Sequence, residues 1–278
     1  MISFGQAFIL GLVQGLTEYL PISSSAHLVF VQHFLGLSDK MLFFDIVLHL
    51  GTLLALFVYF ASDIAHMLRD SIYGFFFLFQ KKSVAKIKES APFAYPAFGV
   101  IVASIPTAVI GFLFKDQFEA MFGSIKTLGY ELLATTILVG LTRYFQEGKK
   151  MIGEASILDF LIIGILQGVA IIPGVSRSGS TIAAALFLGL KREEAFRFSF
   201  LLVIPAILGA ALLEVKHGVS ISSGELPAYV IGFIASAVAG FGSIVFLAAI
   251  MRQEKFHRFA YYTLVFSLIV FFLNAKGF

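Results

Sequence analysis

The sequence contains no cysteine and no tryptophan, and charged residues make up only 13% of its 278 residues. The absence of cysteine excludes disulfides, thiolate metal sites and a cysteine nucleophile. The absence of tryptophan leaves the 9 tyrosines as the main source of an aromatic belt at a membrane interface. Because soluble domains carry about 25% charged residues, this chain cannot cover a water-exposed surface. We expect lipid to form part of its solvent.

The residues that are abundant are apolar: 59% of the chain is hydrophobic, with 33 phenylalanines and a mean hydropathy of +0.93. The first residues lack the basic start and small-residue cleavage site of a signal peptide, so we expect no leader to be removed. Long apolar stretches recur, each sufficient to cross about 30 Å of hydrocarbon as a helix. Six such spans are predicted, at 43–60, 92–113, 128–145, 197–213, 227–250 and 259–275.

Two further apolar regions, 4–36 and 156–190, are interrupted by polar residues at 21–25 and 173–179. We interpret each region as a re-entrant helix–loop–helix hairpin. Polar backbone at membrane depth is tolerated only where it is buried in protein or lines a cavity. The two interruptions are therefore expected to lie inside the protein.

The two broken regions resemble each other: Gln14 corresponds to Gln167 and Ser23 to Ser176, an offset of 153 residues in both cases. Three spans follow each hairpin. The predicted fold is an all-α polytopic membrane protein, one integral membrane domain (1–278) made of two repeats, about 1–150 and 151–278. Because each repeat contains an odd number of spans, the second copy is inverted. Glycines flank both glutamines and are expected to permit close helix packing.

The distribution of basic residues predicts the orientation. With the loop 61–91 placed in the cytoplasm, fourteen of the 20 Lys and Arg residues fall on that side and five on the other, leaving Arg177 inside the membrane. The first hairpin then enters from outside and the second from the cytoplasm, so their tips can meet near the midplane. The loop 61–91 is also expected to hold an interfacial helix.

Charged side chains are costly inside a membrane and are candidates for function. The first tip carries Glu18 and His27, with Gln14 one helical turn before Glu18 on the same face. The second tip carries Arg177 ahead of a helix that is predicted to begin near 178–180. The other polar or glycine positions of the two tips are Ser23, Ser24, Ser25, Gly174, Ser176, Ser178, Ser180 and Thr181.

An arginine, several hydroxyls, the N–H groups of 174–180 and a helix N-terminus together indicate an oxyanion site, most naturally for phosphate. Glu18 and His27 add acid–base capacity or a pair of metal ligands. The nucleophile is open between a serine and the imidazole. This combination favours phosphoryl transfer, in which positioning and charge neutralisation supply most of the catalysis.

Each residue type also has a structural explanation. Gln14 and Gln167 could join helices, serines could bond helix backbones, His27 could be a satisfied core residue, and Glu18 could form a purely structural pair with Arg177. Four other polar residues lie near predicted span ends, and we interpret them as interfacial or capping residues: Asp45, His49, Glu131 and Asp159.

Residues 14–27 (QGLTEYLPISSSAH) and 173–181 (PGVSRSGST) resemble the two signature motifs of the bacterial undecaprenyl-diphosphate phosphatase family, the bacitracin-resistance type. Residues 44–52 and 192–205 also resemble that family, so the similarity covers essentially the whole chain. The resemblance implies hydrolysis of undecaprenyl diphosphate to the monophosphate and inorganic phosphate. This reaction recycles the carrier lipid for peptidoglycan synthesis and confers bacitracin resistance.

The resemblance also implies a divalent cation (Mg²⁺ or Ca²⁺), a location in the bacterial inner membrane and an active site open to the outer, periplasmic face. By motif position, Glu18 is implied as an acid–base residue or metal ligand, Ser24 and His27 as nucleophile or acid–base candidates, and Arg177 as the group that grips the diphosphate. The other residues that we predict to bind the substrate are Gln14, Ser23, Ser25, Gly174, Ser176, Ser178 and Thr181.

One position departs from the motif as it often occurs, because Gln14 stands where many members have glutamate. A glutamine cannot act as a base or give anionic charge to a metal, so a mechanism that needs two carboxylates is in question. The two-histidine signature of the other large lipid-phosphatase family is absent.

Two other functions fit the same pattern. Inverted repeats with broken helices are typical of secondary transporters, so a transporter or flippase of a phosphorylated polyprenyl lipid is the alternative. A non-catalytic lipid-binding scaffold is a third. For the enzyme, we expect an apolar groove between helices to hold the prenyl tail while the tips hold the diphosphate. Nucleic acid is not an expected partner, and a homodimer is left open.

Overall fold

The computed structural model describes residues 2–37, 41–79, 90–121, 127–145, 148–216 and 224–276. Within these ranges the chain is helical and forms no β-strand, apart from one isolated bridge between Lys150 and Leu190. The predicted all-α class is therefore confirmed. The α-helices are α1 (Phe4–Glu18), α2 (Ser24–Phe34), α3 (Leu42–Tyr59), α4 (Ala61–Phe79), α5 (Ala94–Leu113), α6 (Lys115–Met121), α7 (Leu128–Leu141), α8 (Ile157–Val169), α9 (Arg177–Phe187), α10 (Arg192–Lys216), α11 (Leu226–Arg252) and α12 (Phe259–Ala275).

Both predicted hairpins form, as α1 with α2 and as α8 with α9. The second helix of each hairpin begins behind a serine N-cap, whose hydroxyl accepts a backbone N–H three residues later. Ser23 accepts from Ala26, and Ser176 accepts from Gly179. Because Ser176 is the cap, α9 begins at Arg177, slightly before the predicted 178–180, and the arginine occupies the first helical position.

Among the described residues, five helices are long and apolar enough to cross a membrane: α3, α5, α10, α11 and the 20 residues that end with α12. They confirm five of the six predicted spans and a polytopic membrane protein. The prediction for 128–145 was wrong in length, because α7 ends after 14 residues. The chain then tightens into a 3₁₀ turn at Thr142–Tyr144, and the Thr142 hydroxyl bonds the Val139 carbonyl.

The loop 61–91 contains a helix, as predicted, because α4 covers its first 19 residues and packs against α5. Residues 80–89 of this loop lie outside the described residues. Asp63 of α4 pairs with Arg197 of α10 at 3.2 Å. The helix is therefore fastened to two of the membrane-spanning helices, while its interfacial position stays a prediction.

The two halves of the chain exchange matching contacts. The first helix of each hairpin packs on a span of the other half: α1 lies on α11, and α8 lies on α5. The glycines make this approach possible, since a Cβ on Gly11 would lie 2.5 Å from the Gly232 carbonyl oxygen and a Cβ on Gly164 would overlap the Ala103 carbonyl. The matched pairing supports the predicted duplication. Inversion of the two copies stays a prediction.

Aromatic residues from both halves form the centre of the core. Tyr19, at the end of α1, stacks on Phe200 of α10 with ring centroids 5.0 Å apart. Phe60 and Phe196 complete this group. The Tyr19 hydroxyl donates to the Thr52 carbonyl at 2.5 Å, which ties the first hairpin tip to α3.

Candidate functional site

The tips of the two hairpins meet in the structure, as the sequence predicts. The Ser178 hydroxyl donates to the Leu20 carbonyl at 3.0 Å, and the Gly174 N–H donates to the Ser25 hydroxyl at 3.3 Å. Residues more than 140 positions apart in sequence thus form one cluster. Its buried polar groups need partners, because an unpaired polar group costs free energy away from water.

Glu18 is the centre of this cluster and is only 7% exposed. Its Oε1 accepts a bond from Arg177 Nη2 at 2.7 Å. Its Oε2 accepts from the Ser24 hydroxyl at 2.6 Å and from Gln14 Nε2 at 3.0 Å. His49 Nε2 lies 3.5 Å from the same oxygen. One carboxylate therefore joins a cation, a hydroxyl, an amide and an imidazole, which lie on four different helices: α9, α2, α1 and α3.

Two buried polar atoms at this cluster lack a hydrogen-bond partner among the described residues: Arg177 Nη1 and Gln14 Oε1. A buried donor without a partner costs roughly 1–3 kcal/mol, and more when it is charged. Both atoms lie next to the same carboxylate. The guanidinium nitrogen can donate a hydrogen bond to a ligand oxygen, and the amide oxygen can accept a hydrogen bond from a ligand or coordinate a cation.

The three serines of the first tip have different roles. Ser23 has a backbone φ of 66°, which strains a residue other than glycine. Its hydroxyl caps α2 and lies 3.1 Å from that of Ser25. Ser25 in turn accepts the N–H from the second tip. Ser24, partly accessible, is the one of the three whose hydroxyl bonds a carboxylate. The geometry thus separates one candidate nucleophile from two structural hydroxyls.

His27 lies in the same hairpin, but its ring is fully occupied elsewhere. Nδ1 lies 2.7 Å from the Ser23 carbonyl and Nε2 lies 2.8 Å from the Tyr262 hydroxyl. Because a carbonyl only accepts, Nδ1 carries the proton and Nε2 accepts from the tyrosine. The ring also lies against Phe266 with centroids 4.4 Å apart. His27 therefore holds the strained backbone at Ser23, and the described residues show no bond from it to Glu18.

The N–H groups of the second tip are mostly used within the protein. Gly174 has a φ of 94°, and a Cβ there would lie 2.5 Å from that of Glu131, so only glycine fits. Ser176 N–H donates to the Thr135 hydroxyl at 2.9 Å, and the N–H groups of Gly174 and Gly179 donate to serine hydroxyls. The sequence predicted that the backbone N–H groups of 174–180 would be free to bind an anion. In the described chain, those that remain free belong to the first two residues of α9.

Two predicted site residues face away from Glu18. The Thr181 hydroxyl donates to the Arg177 carbonyl at 2.9 Å and bonds Ser199 of α10. Ser176 caps α9 and lies 3.3 Å from the Ser178 hydroxyl. Gln167, the counterpart of Gln14, donates to the Thr107 hydroxyl at 3.2 Å and so joins α8 to α5. These side chains stabilise the packing around the hairpin tips and do not contact Glu18 in the described chain.

Sequence reasoning missed His49 and Asp45, which it interpreted as interfacial or capping. Asp45 is bonded by Gln32 Nε2 at 2.7 Å, and its carbonyl lies 2.7 Å from His49 Nδ1. That bond turns His49 Nε2 toward Glu18. The available signal was their spacing of four residues, which places both on one face of an apolar span where polar residues are costly. Asp159, in contrast, caps α8 with Ser156, as expected.

The donor set does not form a resident metal site. Among the described residues no group of three or more His, Asp or Glu could hold a metal ion. Both oxygens of Glu18 already accept bonds, one of them from the Arg177 guanidinium. Mg²⁺ keeps several waters and is usually bound by one or two carboxylates together with phosphates. These residues therefore fit a cation that arrives with phosphate, and not one held by the protein alone.

The chain is similar over almost its whole length to known undecaprenyl-diphosphatases. Residues 7–269 match the model of the family described as bacitracin resistance protein BacA. The chain is 41% identical to an undecaprenyl-diphosphatase of Carboxydothermus hydrogenoformans, over 98% of both chains. It is also 41% identical to one of Alkaliphilus metalliredigens, over 96% of this chain and 98% of the relative. A relative of the same name from Halothermothrix orenii is 40% identical over 95% of both.

Proposed function

The chain belongs to the BacA family of bacitracin resistance proteins, and on that premise we propose that it hydrolyses undecaprenyl diphosphate to undecaprenyl phosphate and inorganic phosphate. The observation that carries the proposal is the Glu18 carboxylate, which links the Ser24 hydroxyl to a guanidinium with an unpaired buried nitrogen. Curated relatives at about 40% identity carry the name of this activity.

Arg177 binds the diphosphate in this proposal. Its Nη2 is held by Glu18, so the guanidinium is oriented before substrate arrives, and Nη1 is left to donate to a phosphoryl oxygen. The side chain is only 15% exposed, so its field is weakly screened. Helix α9 begins at Arg177, so its positive N-terminal end is at the same place. Both features favour the charge that develops on the transferring phosphoryl group.

Ser24 is the proposed nucleophile. Its oxygen attacks the terminal phosphorus, the bond from that phosphorus to the bridging oxygen breaks, and undecaprenyl phosphate leaves with the bridging oxygen. The Ser24 proton passes to Glu18 along the existing 2.6 Å bond, and Glu18 then gives this proton to the departing bridging oxygen, which returns Glu18 to its carboxylate form. Water then attacks the phosphoserine, gives a proton to Glu18, and releases inorganic phosphate as Ser24 regains its hydrogen. Each step uses Glu18 first as base and then as acid.

In the proposed reaction, His27 is a positioning residue. Its bond to the Ser23 carbonyl fixes the backbone that presents Ser24. Gln14 holds the second oxygen of Glu18 through its amide nitrogen, so a second carboxylate is not needed to orient the base. This contact supports a mechanism with one carboxylate at the site. All these residues come from one chain, so the site does not require the homodimer left open above.

We further propose that a divalent cation reaches the site bound to the diphosphate, with Gln14 Oε1 as a ligand from the protein. Such a cation neutralises phosphoryl charge when it is bound. We also propose that the protein lies in the bacterial inner membrane with the site open to the periplasmic face, on the basis of the distribution of Lys and Arg. The names of the relatives favour hydrolysis over the transporter alternative.

The deciding experiment measures phosphate release from undecaprenyl diphosphate by purified protein in detergent. Arg177→Ala is expected to lower kcat/KM about 10³-fold, the usual cost of losing a group that stabilises transition-state charge. Arg177→Lys keeps the charge but not the planar fork, so we expect partial activity. Arg252→Ala, an exposed arginine at the end of α11, is the matched control.

Unchanged lipid binding with lost turnover in Arg177→Ala would fit a role in the transition state. Turnover within threefold of the parent would contradict the proposed site. No phosphate release by the parent protein, with binding of the lipid intact, would instead support the transporter alternative.

A further inference from the structure

A large groove lies beside the site described above, between the end of α1 and the junction of α11 with α12. Its volume is about 630 Å³, which is in the range that holds a small ligand. Neither Glu18 nor Arg177 lines it, but Tyr262, whose hydroxyl bonds His27, does. The walls are mostly apolar, formed by Leu16, Leu20, Ile22, Phe246, Ile250 and Phe259.

One end of the groove is cationic. Lys255 and Arg258 line it beside Gln253, whose side-chain oxygen accepts a bond from Lys255 at 2.5 Å. Within the described part of the chain, neither cation has a carboxylate partner; the neighbouring Glu254 pairs with Arg192. Two basic groups beside a membrane-spanning helix attract anionic lipid head groups.

The apolar part of the groove extends into the membrane-spanning region. Phe246 lies six residues before Arg252, the end of α11, which corresponds to a depth of about 9 Å. Leu20 and Ile22, which also line the groove, belong to the tip of the first hairpin, which is predicted to lie near the membrane midplane. The groove is therefore deep enough for an alkyl chain and not only for a head group.

We propose that this groove binds an anionic phospholipid, with its phosphate at Lys255 and Arg258 and an acyl chain along Leu20, Ile22 and Ile250. The substrate of the proposed reaction cannot be the occupant in the same pose. Its diphosphate binds at the hairpin tips, whereas the groove places an anionic head at the opposite end and the chain toward the tip. On the predicted topology the bound lipid belongs to the cytoplasmic leaflet. The proposed lipid site does not depend on whether the protein has phosphatase activity.

The chain has no tryptophan, so Ile250→Trp introduces a single indole as a reporter inside the groove. The full-length variant is placed in phosphatidylcholine vesicles that contain either brominated phosphatidylglycerol or brominated phosphatidylcholine, and quenching is measured. We expect much stronger quenching by the anionic lipid. Adding Lys255→Gln and Arg258→Gln is expected to lower that preference roughly 30-fold, about fivefold for each cation.

Two double variants in the Ile250→Trp background serve as controls. Lys255→Arg with Arg258→Lys keeps both charges and is expected to keep the preference. Lys149→Gln with Lys191→Gln removes two exposed cations elsewhere and is also expected to keep it. Thermal unfolding in detergent is measured for every variant, and single neutralising variants replace a double variant that does not fold.

Equal quenching by the two brominated lipids would overturn the proposal, as would a preference that survives loss of both cations. Unbrominated undecaprenyl phosphate is added as a competitor. If it relieves quenching at much lower concentration than phosphatidylglycerol does, the groove is a site for the product and the phospholipid assignment is wrong. Since no hydrolysis is measured, failure here leaves the proposed function untouched, and the reverse also holds.

Discussion

At the scale of single residues, Ser24 differs from its neighbours because its hydroxyl bonds the Glu18 carboxylate. We predict that Ser24→Ala lowers kcat by at least about 10³-fold, because removal of a nucleophile costs far more than removal of a binding contact. Phosphate release under saturating substrate checks this. Ser104→Ala is the matched control, since that hydroxyl bonds only the Val100 carbonyl of its own helix among the described residues.

A residual rate above about a tenth of the parent's would assign the attack to water. Rapid-quench assays of the parent add a second test, since a phosphoserine intermediate that accumulates should release undecaprenyl phosphate in a burst. A burst that persists in Ser24→Ala would exclude this serine as the attacking group.

Gln14 carries the second residue-scale prediction. Its amide nitrogen lies 3.0 Å from Glu18 Oε2, so Gln14→Glu would place two carboxylates in contact and remove a hydrogen-bond donor. Like charges at this distance favour an added cation or proton. We expect Gln14→Glu to stay active but to show a steeper dependence on Mg²⁺, with Mg²⁺ raising its melting temperature more than that of the parent.

Gln14→Leu is the companion variant, because it removes both the donor and the unpaired oxygen without adding charge. We expect it to lose activity at every Mg²⁺ concentration. Identical Mg²⁺ dependence of activity and melting temperature in Gln14→Glu and the parent would contradict the proposed cation ligand.

The residue types and motifs of the site could be predicted from the sequence, but their contacts could not. Glu18, Ser24 and Arg177 stand out because polar groups within apolar hairpins are costly. His27 is kept from bonding Glu18 by its bond to Tyr262, which is 235 residues away along the chain. The approach of His49 to Glu18 depends on how α3 is rotated against α1. Such contacts follow from how the helices pack in three dimensions, which local sequence does not specify.

At the scale of helices, the glycines predict where packing is tightest. A Cβ on Gly164 would overlap the Ala103 carbonyl of α5, and a backbone atom cannot turn aside as a side chain can. We predict that Gly164→Ala destabilises the protein by about 1–3 kcal/mol, as overpacking does. Thermal unfolding in detergent, followed by circular dichroism, measures the change.

Gly242→Ala is the control for this helix-scale test, because a Cβ at that position of α11 meets no atom within 4 Å. Alanine is a better helix former than glycine, so we expect no loss of stability. If Gly164→Ala lowered the free energy of unfolding no more than Gly242→Ala does, α8 would not pack on α5 as closely as the structure shows.

The helices themselves were largely predictable, because turn residues and serine caps bound the apolar stretches. The bounds of α3 and α5 fall within two residues of the predicted spans. The failure at 128–145 has a local cause that hydropathy does not register: a threonine hydroxyl bonding back to its own helix, followed by a tighter turn. The short α6 was not predicted either, because its seven residues mix charged, polar and apolar types without a long apolar run.

At the scale of the whole molecule, the apolar composition has a direct counterpart on the surface. Large hydrophobic side chains are exposed on the outer faces of the helices, among them Phe112 at 77% and Val238 at 70%. Many of the buried polar residues lie at the hairpin tips, where they bond each other. This distribution is the reverse of that in a soluble protein, and a bilayer is the solvent that makes both features favourable.

The orientation of the two halves carries the last prediction, and it depends on α7. This helix has 14 residues, so it rises about 21 Å, less than the hydrocarbon thickness. The predicted inversion still requires a crossing between Asp116 and Lys149, both exposed. Basic residues at the far end of α7, Arg143 and Lys149, favour that crossing.

Because the chain has no cysteine, single cysteines can be placed without background. We expect an impermeant maleimide to label Asp116→Cys in cells stripped of their outer barrier, and Lys149→Cys only after permeabilisation. Labelling of both from outside would make α7 re-entrant and would rule out the predicted inverted repeat.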